Sequence, residues 1–188
     1  ICRYYLISYL QQFHQAFPDV RIKVTNSTSI GCVELLEKGQ VDLIVCNFPN
    51  SRLGNHIQIR VLKEFQDIFV GNPEYFPLND MPREMNTLLE YPILMLSGKS
   101  TTSEYLHQAF ASQGLNLLPE VELNSNDLLM DLARIGLGIA FIPDYMLSPD
   151  DSLKPIPLIS GLSPRQLVLI YHDGQPLSQA AERFLEIL

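Results

Sequence analysis

The sequence is short of basic residues and of long apolar runs. Its 188 residues include 13 Lys and Arg against 21 Asp and Glu, which gives a formal net charge of −8. An acidic surface repels a phosphate backbone, so we expect any nucleic-acid binding to reside outside this sequence. The longest apolar runs are far too short to span a bilayer, so we expect no membrane partner. No biased tract is present, and the composition is that of an ordinary globular protein.

Cysteine is also scarce, and its pattern argues against disulfides. Cys2, Cys32 and Cys46 are odd in number, widely spaced and set in apolar surroundings. These features indicate buried thiols of a reducing compartment rather than a disulfide framework or a metal site. A thiol enzyme built on Cys46 and a distant His is disfavoured, because the apolar strand around Cys46 indicates an inert core thiol.

Motifs of catalysis are missing as well. The four histidines are scattered, and no two of them have the spacing of metal ligands. The sequence has neither the Gly-x-Ser-x-Gly turn of serine hydrolases nor the Gly-x-Gly-x-x-Gly turn of dinucleotide-binding folds. We therefore expect a protein that is not an enzyme and that carries no metal and no cofactor.

What is present is an alternation of helices and strands. Strands are predicted at DVRIKVTN (19–26) and VDLIVCN (41–47), with a helix before the first and another between them. The same order recurs from IQIRVLKEF (57–65) to the closing helix PLSQAAERFLEIL (176–188), and a Pro- and Asn-rich segment near 72–82 marks a seam. Two α/β lobes, each a sheet covered by helices, are the natural interpretation.

The segment LSGKSTT (96–102) raises the question of a nucleotide-binding loop. A phosphate loop needs a Gly five residues before Gly98, so that backbone N–H groups wrap the phosphates, and Ile93 stands there. The sequence thus disfavours an NTPase. Two interpretations stay open: a plain helix N-cap, or a helix N-terminus that binds an anion or a carboxylate. In either case Lys99 is expected to point to solvent.

Polar loops of the same kind follow other predicted strands. They are TNSTS (25–29), VCNFPN (45–50) and LNSND (123–127). In open α/β sheets, ligands bind outside the carboxyl ends of strands, where loops and helix N-termini converge. Capping would explain one such loop, but four of them spread over two lobes predict the two walls of a ligand cleft.

Three phrases carry a resemblance to a known family: FHQAFPDVRIKV (13–24), ELLEKGQVDLIV (34–45) and LARIGLGIAFIPDYML (132–147). In this order, and followed by a last strand and an amphipathic helix, they resemble the C-terminal effector-binding domain of LysR-type transcriptional regulators. The resemblance covers essentially the whole chain. It implies an α/β fold like that of type II periplasmic solute-binding proteins, with two lobes, each a mixed and mostly parallel sheet flanked by helices.

The resemblance also implies how the lobes are divided and what they do. Lobe I would comprise 1–66 and 168–188, and lobe II 67–167, with FQDIFVG (65–71) and RQLVLIYH (165–172) as the two hinge crossover strands. A small-molecule effector would bind between the lobes. The domain would form a homodimer, and a tetramer in the full-length protein, which would act in the cytoplasm. DNA would be bound only through an N-terminal winged helix-turn-helix that this sequence lacks.

The family's first strand, with its polar turn, should precede Ile1, and the sequence begins ICRYYLISYL without Met or a basic leader. We therefore expect the natural chain to extend upstream.

Carried over by position, the predicted effector site has two walls. The lobe I wall is Ser27, Thr28, Ser29 and Asn47, and the lobe II wall is Ser97, Ser100, Thr101, Asn124, Ser125 and Asn126, with Phe141 near the return to the hinge. Hydroxyls and amides at helix N-termini suit a small anionic or zwitterionic effector. The alternative is the solute-binding protein of a small-molecule importer, which shares this fold and would need a signal peptide.

Overall fold

The chain passes twice between two compact units. The first unit comprises Ile1–Glu64 and Gln166–Leu188, and the second comprises Phe65–Arg165. The computed structural model describes residues 1–78, 80–98, 100–174 and 176–188. The two crossings therefore fall after Glu64 and after Arg165.

Helices and strands alternate along most of the chain. Their bounds, in order, are α1 Ile7–Ala16, α2 Ser29–Glu37, β1 Ile44–Phe48, β2 Ile57–Phe65, β3 Asp67–Gly71, β4 Ile93–Leu96, α3 Thr101–Ser112, β5 Val121–Leu123, α4 Asn126–Arg134, β6 Ile139–Pro143, β7 Lys154–Ile156, β8 Arg165–His172 and α5 Gln179–Ile187. A π-helical turn, Cys2–Leu6, precedes α1, and 3₁₀ turns lie at Met85–Glu90 and Asp144–Met146. The predicted mixed α/β class is confirmed.

The first unit is built on a three-stranded sheet in the order β1-β8-β2. β1 runs antiparallel to β8, with Ile44 opposite Ile170. Side chains alternate between the two faces of the sheet, and α2 packs against the face that carries Ile44, Cys46, Val168 and Ile170. The resulting core contains Val33, Leu36, Ile44, Cys46, Val168 and Ile170. Each aliphatic side chain buried in this way stabilises the fold by about 2 kcal/mol.

The segment 19–26 does not form the strand that its alternating pattern predicts. A strand is held by backbone hydrogen bonds to a neighbouring strand, and none of the described strands pairs with this segment. Ile22 and Val24, the apolar positions of the pattern, are 38% and 54% exposed. The period of a strand is therefore present here without its hydrogen-bonded partner or its buried face.

The expectation that all three thiols are buried is also wrong in part. Cys46 lies in the core of the first unit, whereas Cys2 and Cys32 are half-buried. Cys2 belongs to the π-helical turn, which has no buried residue, and Cys32 lies in α2 beside the core rather than within it. All three are free thiols.

The second unit is built on a five-stranded mixed sheet in the order β5-β4-β6-β3-β7. β4 runs parallel to β5 and β6, whereas β3 runs antiparallel to β6 and β7. Phe69 of β3 lies opposite Phe141 of β6, and the centroids of their rings are 4.8 Å apart. Phe110 of α3 packs edge-on against Phe69, so that helix and sheet share one apolar core.

The two crossings differ in their local structure. At the first, Gln66 separates β2 from β3; its side chain donates to the carbonyl of Leu162, and its own carbonyl accepts from the N–H of Asp144. FQDIFVG thus begins at this interruption and continues as β3 in the second sheet. At the second crossing, RQLVLIYH is one uninterrupted strand, β8, which starts at Arg165 and pairs with β1 and β2.

Two glycines after α4 lie where the surrounding atoms leave no space for a side chain. Gly136 has φ +80°, and a Cβ there would overlap the ring of Tyr75. Gly138 lies against the carbonyl of Pro92, which leaves no space for a side chain. Gly114, after α3, also has a positive φ of +72°, but a Cβ there would meet nothing within 4 Å.

An ion pair holds the end of α4 to the loop before β7. Arg134 donates from Nε and Nη2 to both carboxylate oxygens of Asp151, at 3.1 and 2.6 Å, and from Nη1 to Asp131 at 2.6 Å. The N–H of Leu153 also donates to Asp151. The hydrogen bonds from Arg134 hold the pKa of the Asp151 carboxyl below its usual value, and burial opposes them.

We expect Gly136→Ala to destabilise the protein more than Gly114→Ala. Both substitutions place Ala in a left-handed conformation, at about 1 kcal/mol, and Gly136→Ala adds an overlap with Tyr75 worth about 1–3 kcal/mol. Denaturant unfolding of both variants measures the difference. Tyr75→Ala should remove the excess when it is combined with Gly136→Ala. Equal destabilisation by the two glycine variants would contradict the steric account.

We expect Asp151→Asn to lower the free energy of unfolding by about 1 kcal/mol at neutral pH, a figure reduced because Arg134 is about a third exposed. Because the pKa of Asp151 is lowered in the folded protein, its carboxylate stabilises the fold at pH values above the ordinary Asp pKa. This contribution disappears as the pH falls through the lowered pKa. The difference between the native protein and the variant should therefore vanish in acid. The exposed pair Arg183–Glu186 supplies the control, and Glu186→Gln should change little at any pH. A difference that persists in acid would rule out the ionic origin.

Candidate functional site

Two polar loops meet at the carboxyl ends of β4 and β5 in the second unit. The strands are parallel neighbours, with Leu96 opposite Leu123 as the last pair. Ser97 and Asn124 follow directly, and the Ser97 hydroxyl donates to Asn124 Oδ1 at 2.5 Å, while the Ser97 N–H donates to the carbonyl of Leu123 at 2.8 Å. The parallel register thus brings together two residues that the sequence places on separate loops.

Two helices begin at this same edge of the sheet. Ser100 caps α3 by accepting from the N–H of Ser103 at 3.1 Å, and Ser125 caps α4 by accepting from the N–H of Leu128 at 3.3 Å. The remaining N–H groups of a first helical turn have no partner inside the helix, and they carry partial positive charge. The edge therefore combines two capped helix N-termini with the Ser97–Asn124 pair.

The first turn of α3 is buried. Ser100 and Thr101 are 5% and 4% exposed, and Thr102 and Ser103 are buried with them. Thr101 Oγ1 accepts from Nη2 of Arg165 at 3.1 Å, and Thr102 Oγ1 accepts from Nη1 at 3.1 Å. The hydroxyls of Ser100 and Thr101 are thus engaged within the second unit, whereas Ser97 is half-buried and Asn124 and Ser125 are exposed.

Arg165 forms a buried ion pair with Asp67. Nη1 of Arg165 donates to Asp67 Oδ2 at 2.6 Å, and both side chains are almost fully buried. The guanidinium lies 5.1 Å from the ring centroid of Tyr105 and 5.7 Å from that of Phe65. Burial raises the pKa of the Asp67 carboxyl, and the positive charge of Arg165 opposes the rise. Burial, with the charge of Asp67, also raises the pKa of Tyr105.

Neither Arg165 nor Asp67 was expected at a site from the sequence. The signal that could draw attention to them is an Arg or Asp at the start of a mostly apolar strand, as in RQLVLIYH and DIFVG. Charged residues are almost never fully buried unless they are paired. Opposite charges at the starts of two such strands are therefore candidates for a mutual ion pair.

The predicted residues of the first unit fall into two groups. Thr28 caps α2 by accepting from the N–H of Gly31 at 3.1 Å, and Ser27 is exposed beside it. Ser29 and Asn47 are buried, and the Ser29 hydroxyl accepts from the N–H of Asn47 at 3.2 Å. Asn50, which the sequence did not single out, adds a bond from Nδ2 to the carbonyl of Ser29. Within this unit, Ser27 is the exposed member of the predicted wall.

Phe141 does not belong to a solvent-accessible wall. It is fully buried in the core of the second unit, where it packs against Phe69, so its role is packing. Asn126, the first residue of α4, is half-buried, and its Oδ1 is a buried atom with no hydrogen-bond partner among the described residues. Lys99, expected to point to solvent, lies outside the described residues.

The thiol of Cys46 has the environment of a core residue. It is completely buried, and burial raises its pKa to about 12. Among the residues that the structure describes, no three His, Cys, Asp or Glu side chains are grouped so that they could hold a metal ion. Within the same residues, none of the helices is both long enough and apolar enough to cross a membrane.

Transcriptional regulators are among the known proteins to which this chain is similar. The chain is 23% identical over 189 residues to the HTH-type transcriptional activator CmpR of Synechocystis sp., a match that covers 99% of this chain and 62% of the activator. The fold matches the CcmR regulatory domain of Synechocystis PCC6803 in complex with 2-PG, with a TM-score of 0.87, 16% identity and 98% and 89% of the two chains covered. It also matches the effector-binding domain of QuiR in complex with shikimate, with a TM-score of 0.82, 14% identity and coverage of 97% and 88%.

The fold is therefore that of an effector-binding domain of transcriptional regulators. The family model of the LysR substrate binding domain matches residues 1–188, so the chain belongs to this family. The chain spans less than two thirds of the length of CmpR.

We expect Cys46 to resist alkylation in the folded protein. At about pH 8 its thiolate population is very small, because burial raises the pKa, and the reagent cannot reach the sulfur. Peptide mass mapping after iodoacetamide treatment should find Cys2 and Cys32 modified well before Cys46. Denaturant should make the three rates similar, which serves as the control. Modification of Cys46 at the rate of Cys32 in the folded protein would contradict its placement in the core.

Proposed function

We propose that this chain is the effector-sensing part of a DNA-binding transcriptional regulator. We further propose that it binds a small anionic or zwitterionic metabolite at the carboxyl edge of the second sheet. The observation that carries the proposal is the meeting of Ser97 and Asn124 beside the capped N-termini of α3 and α4. Family membership supports the regulatory role over the alternative of an importer's solute-binding protein.

The electrostatics of this edge favour a negative charge. Each helix N-terminus is equivalent to roughly half a positive charge, and two of them begin here. The Asn124 amide N–H groups can donate to a carboxylate or a phosphate, and the Ser97 hydroxyl orients this amide by donating to its Oδ1. Directly behind the first turn of α3 lies the guanidinium of Arg165, whose charge is balanced by Asp67. A neutral apolar ligand would leave these donors without acceptors.

The similar proteins support a small polar ligand. The CcmR domain is in complex with 2-PG, and the QuiR domain is in complex with shikimate. Ser27, Thr28, Ser29 and Asn47 stay a prediction as a second wall of the site. Of these, Ser27 is the residue whose exposure best suits ligand contact.

Regulation would proceed by a shift between conformations. A ligand can move such an equilibrium only by as much as its affinities for the two states differ. In the proposed mechanism, the favoured conformation alters how the chains associate as dimers and tetramers. DNA would be bound by an N-terminal winged helix-turn-helix outside this sequence, in the cytoplasm.

We expect small organic acids to bind and neutral apolar compounds of similar size to fail. Isothermal titration calorimetry with shikimate, 2-PG and glycolate, against benzyl alcohol as the neutral probe, measures this. Asn124→Ala and Ser97→Ala should each weaken binding of the best acid by about tenfold, the effect of one lost hydrogen bond to a charged group.

Ser112→Ala provides the matched control. Ser112 lies at the opposite end of α3, where its hydroxyl donates to the carbonyl of Ala109, so affinity should not change. Binding of benzyl alcohol with no binding of any acid would contradict the anionic ligand. Equal affinity in the native protein and in Asn124→Ala would move the site away from the carboxyl edge of the second sheet.

A further inference from the structure

One guanidinium joins the first residues of three elements. Arg165 is the first residue of β8, Asp67 is the first residue of β3, and Thr101 and Thr102 are the first residues of α3. The guanidinium donates to all three partners at distances of 2.6 to 3.1 Å. Asp67 and Arg165 also lie within three residues of the two crossings of the chain. The start of the helix at the proposed site is thereby tied to both crossings.

Stability alone does not account for this arrangement. Burying an ion pair is costly, and well-packed apolar residues of similar volume are often as stable or more stable. The pair is also incompletely satisfied, because Asp67 Oδ1 and Arg165 Nε are buried with no hydrogen-bond partner among the described residues. A cation beside a helix N-terminus is unfavourable as well. What the guanidinium supplies, and an apolar pair would not, is a set of directional bonds that fixes the three segments together.

The contacts of Arg165 are connected to the first unit through the backbone of β8. Gln166 and Leu167 follow Arg165 and lie opposite Phe48 and Asn47 of β1. The N–H of Asn47 in turn donates to the hydroxyl of Ser29, the first residue of α2. Hydrogen bonds, one strand and its register therefore connect the N-terminal turn of α3 with the N-terminal turn of α2.

We propose that Arg165 is the positioning residue through which the N-terminal turn of α3 controls the register and stability of β8 and β1 in the first unit. The proposal deepens the proposed function and rests on it, since α3 begins at the proposed ligand site. An anion bound there stabilises the geometry in which the two Thr hydroxyls accept from Arg165. Arg165 then holds the start of β8, which is the strand that enters the first unit at the second crossing.

The test removes the hydroxyl contacts and observes the other unit. Thr101→Val combined with Thr102→Val keeps side-chain shape and deletes the two hydroxyl acceptors of Arg165, while Asp67 remains. Hydrogen exchange followed by mass spectrometry then reports on segments 44–48 and 166–172 of the full chain without any ligand. We expect exchange in these segments to rise about fivefold, the effect of losing about 1 kcal/mol of local stability. Thr87→Val is the matched control, because the Thr87 hydroxyl donates to the carbonyl of Glu84, three residues earlier in the chain.

A second set of variants, made in a protein without the ion pair, distinguishes an effect transmitted through Arg165 from a general loss of stability. In Asp67→Leu combined with Arg165→Met, the Thr variants should no longer change exchange in segments 44–48 and 166–172. If that background does not fold, Arg165→Lys replaces it, since a single ammonium cannot make the forked contacts. Exchange that rises only within the second unit, or rises equally in both backgrounds, overturns the proposal. These measurements need no ligand, so their failure is distinct from a failure of the proposed function, which would show as absent binding of acids in calorimetry.

Discussion

The starts of β3, α3 and β8 are held together by one buried positive charge, the guanidinium of Arg165. A guanidinium removed from water must find acceptors for its donors, and the flanking rings of Tyr105 and Phe65 offer only their faces. Asp67 and the hydroxyls of Thr101 and Thr102 supply oxygen acceptors. Because these groups come from the starts of β3 and α3, satisfying Arg165 fixes both elements relative to the start of β8. The second unit is thus organised around an electrostatic requirement as well as around its apolar core.

The geometry of the candidate site is fixed by this arrangement and by the neighbouring strands. Ser97 and Asn124 are held by the register of two parallel strands rather than by a loop alone, and α3 begins where its first turn is anchored from behind. A site on such elements presents its donors without having to order them first, which lowers the entropic cost of binding. The buried Thr hydroxyls are therefore better suited to holding the helix end than to contacting a ligand.

The sequence predicts what is local and misses what is not. Capping serines such as Ser100 and Ser125 are visible because a cap is decided within four residues. The segment 19–26 has a strand's period but no strand, because pairing depends on a partner elsewhere in the chain. The resemblance suggests Phe141 for the site by its position near the hinge, but all five residues of β6 are buried, and the position alone does not show which of them faces a ligand. The role of Arg165 was missed because composition does not reveal which charge is buried.

The unpaired segment 19–26 and the unforeseen role of Arg165 have one physical origin. Strand pairing and ion pairing are both satisfied between residues that are far apart in sequence, and Asp67 and Arg165 are separated by 98 positions. A local sequence pattern indicates that a strand or a charge needs a partner, but which residue becomes that partner is decided by the fold. Within the part of the chain that the structure describes, the ion pair leaves two buried atoms unsatisfied, and apolar residues of similar volume could give the same stability. The pair is therefore best explained by the geometry that it imposes. Here that geometry joins the helix at the proposed site to the strand that leaves the second unit, so in the proposed function sensing and transmission would depend on the same buried contact.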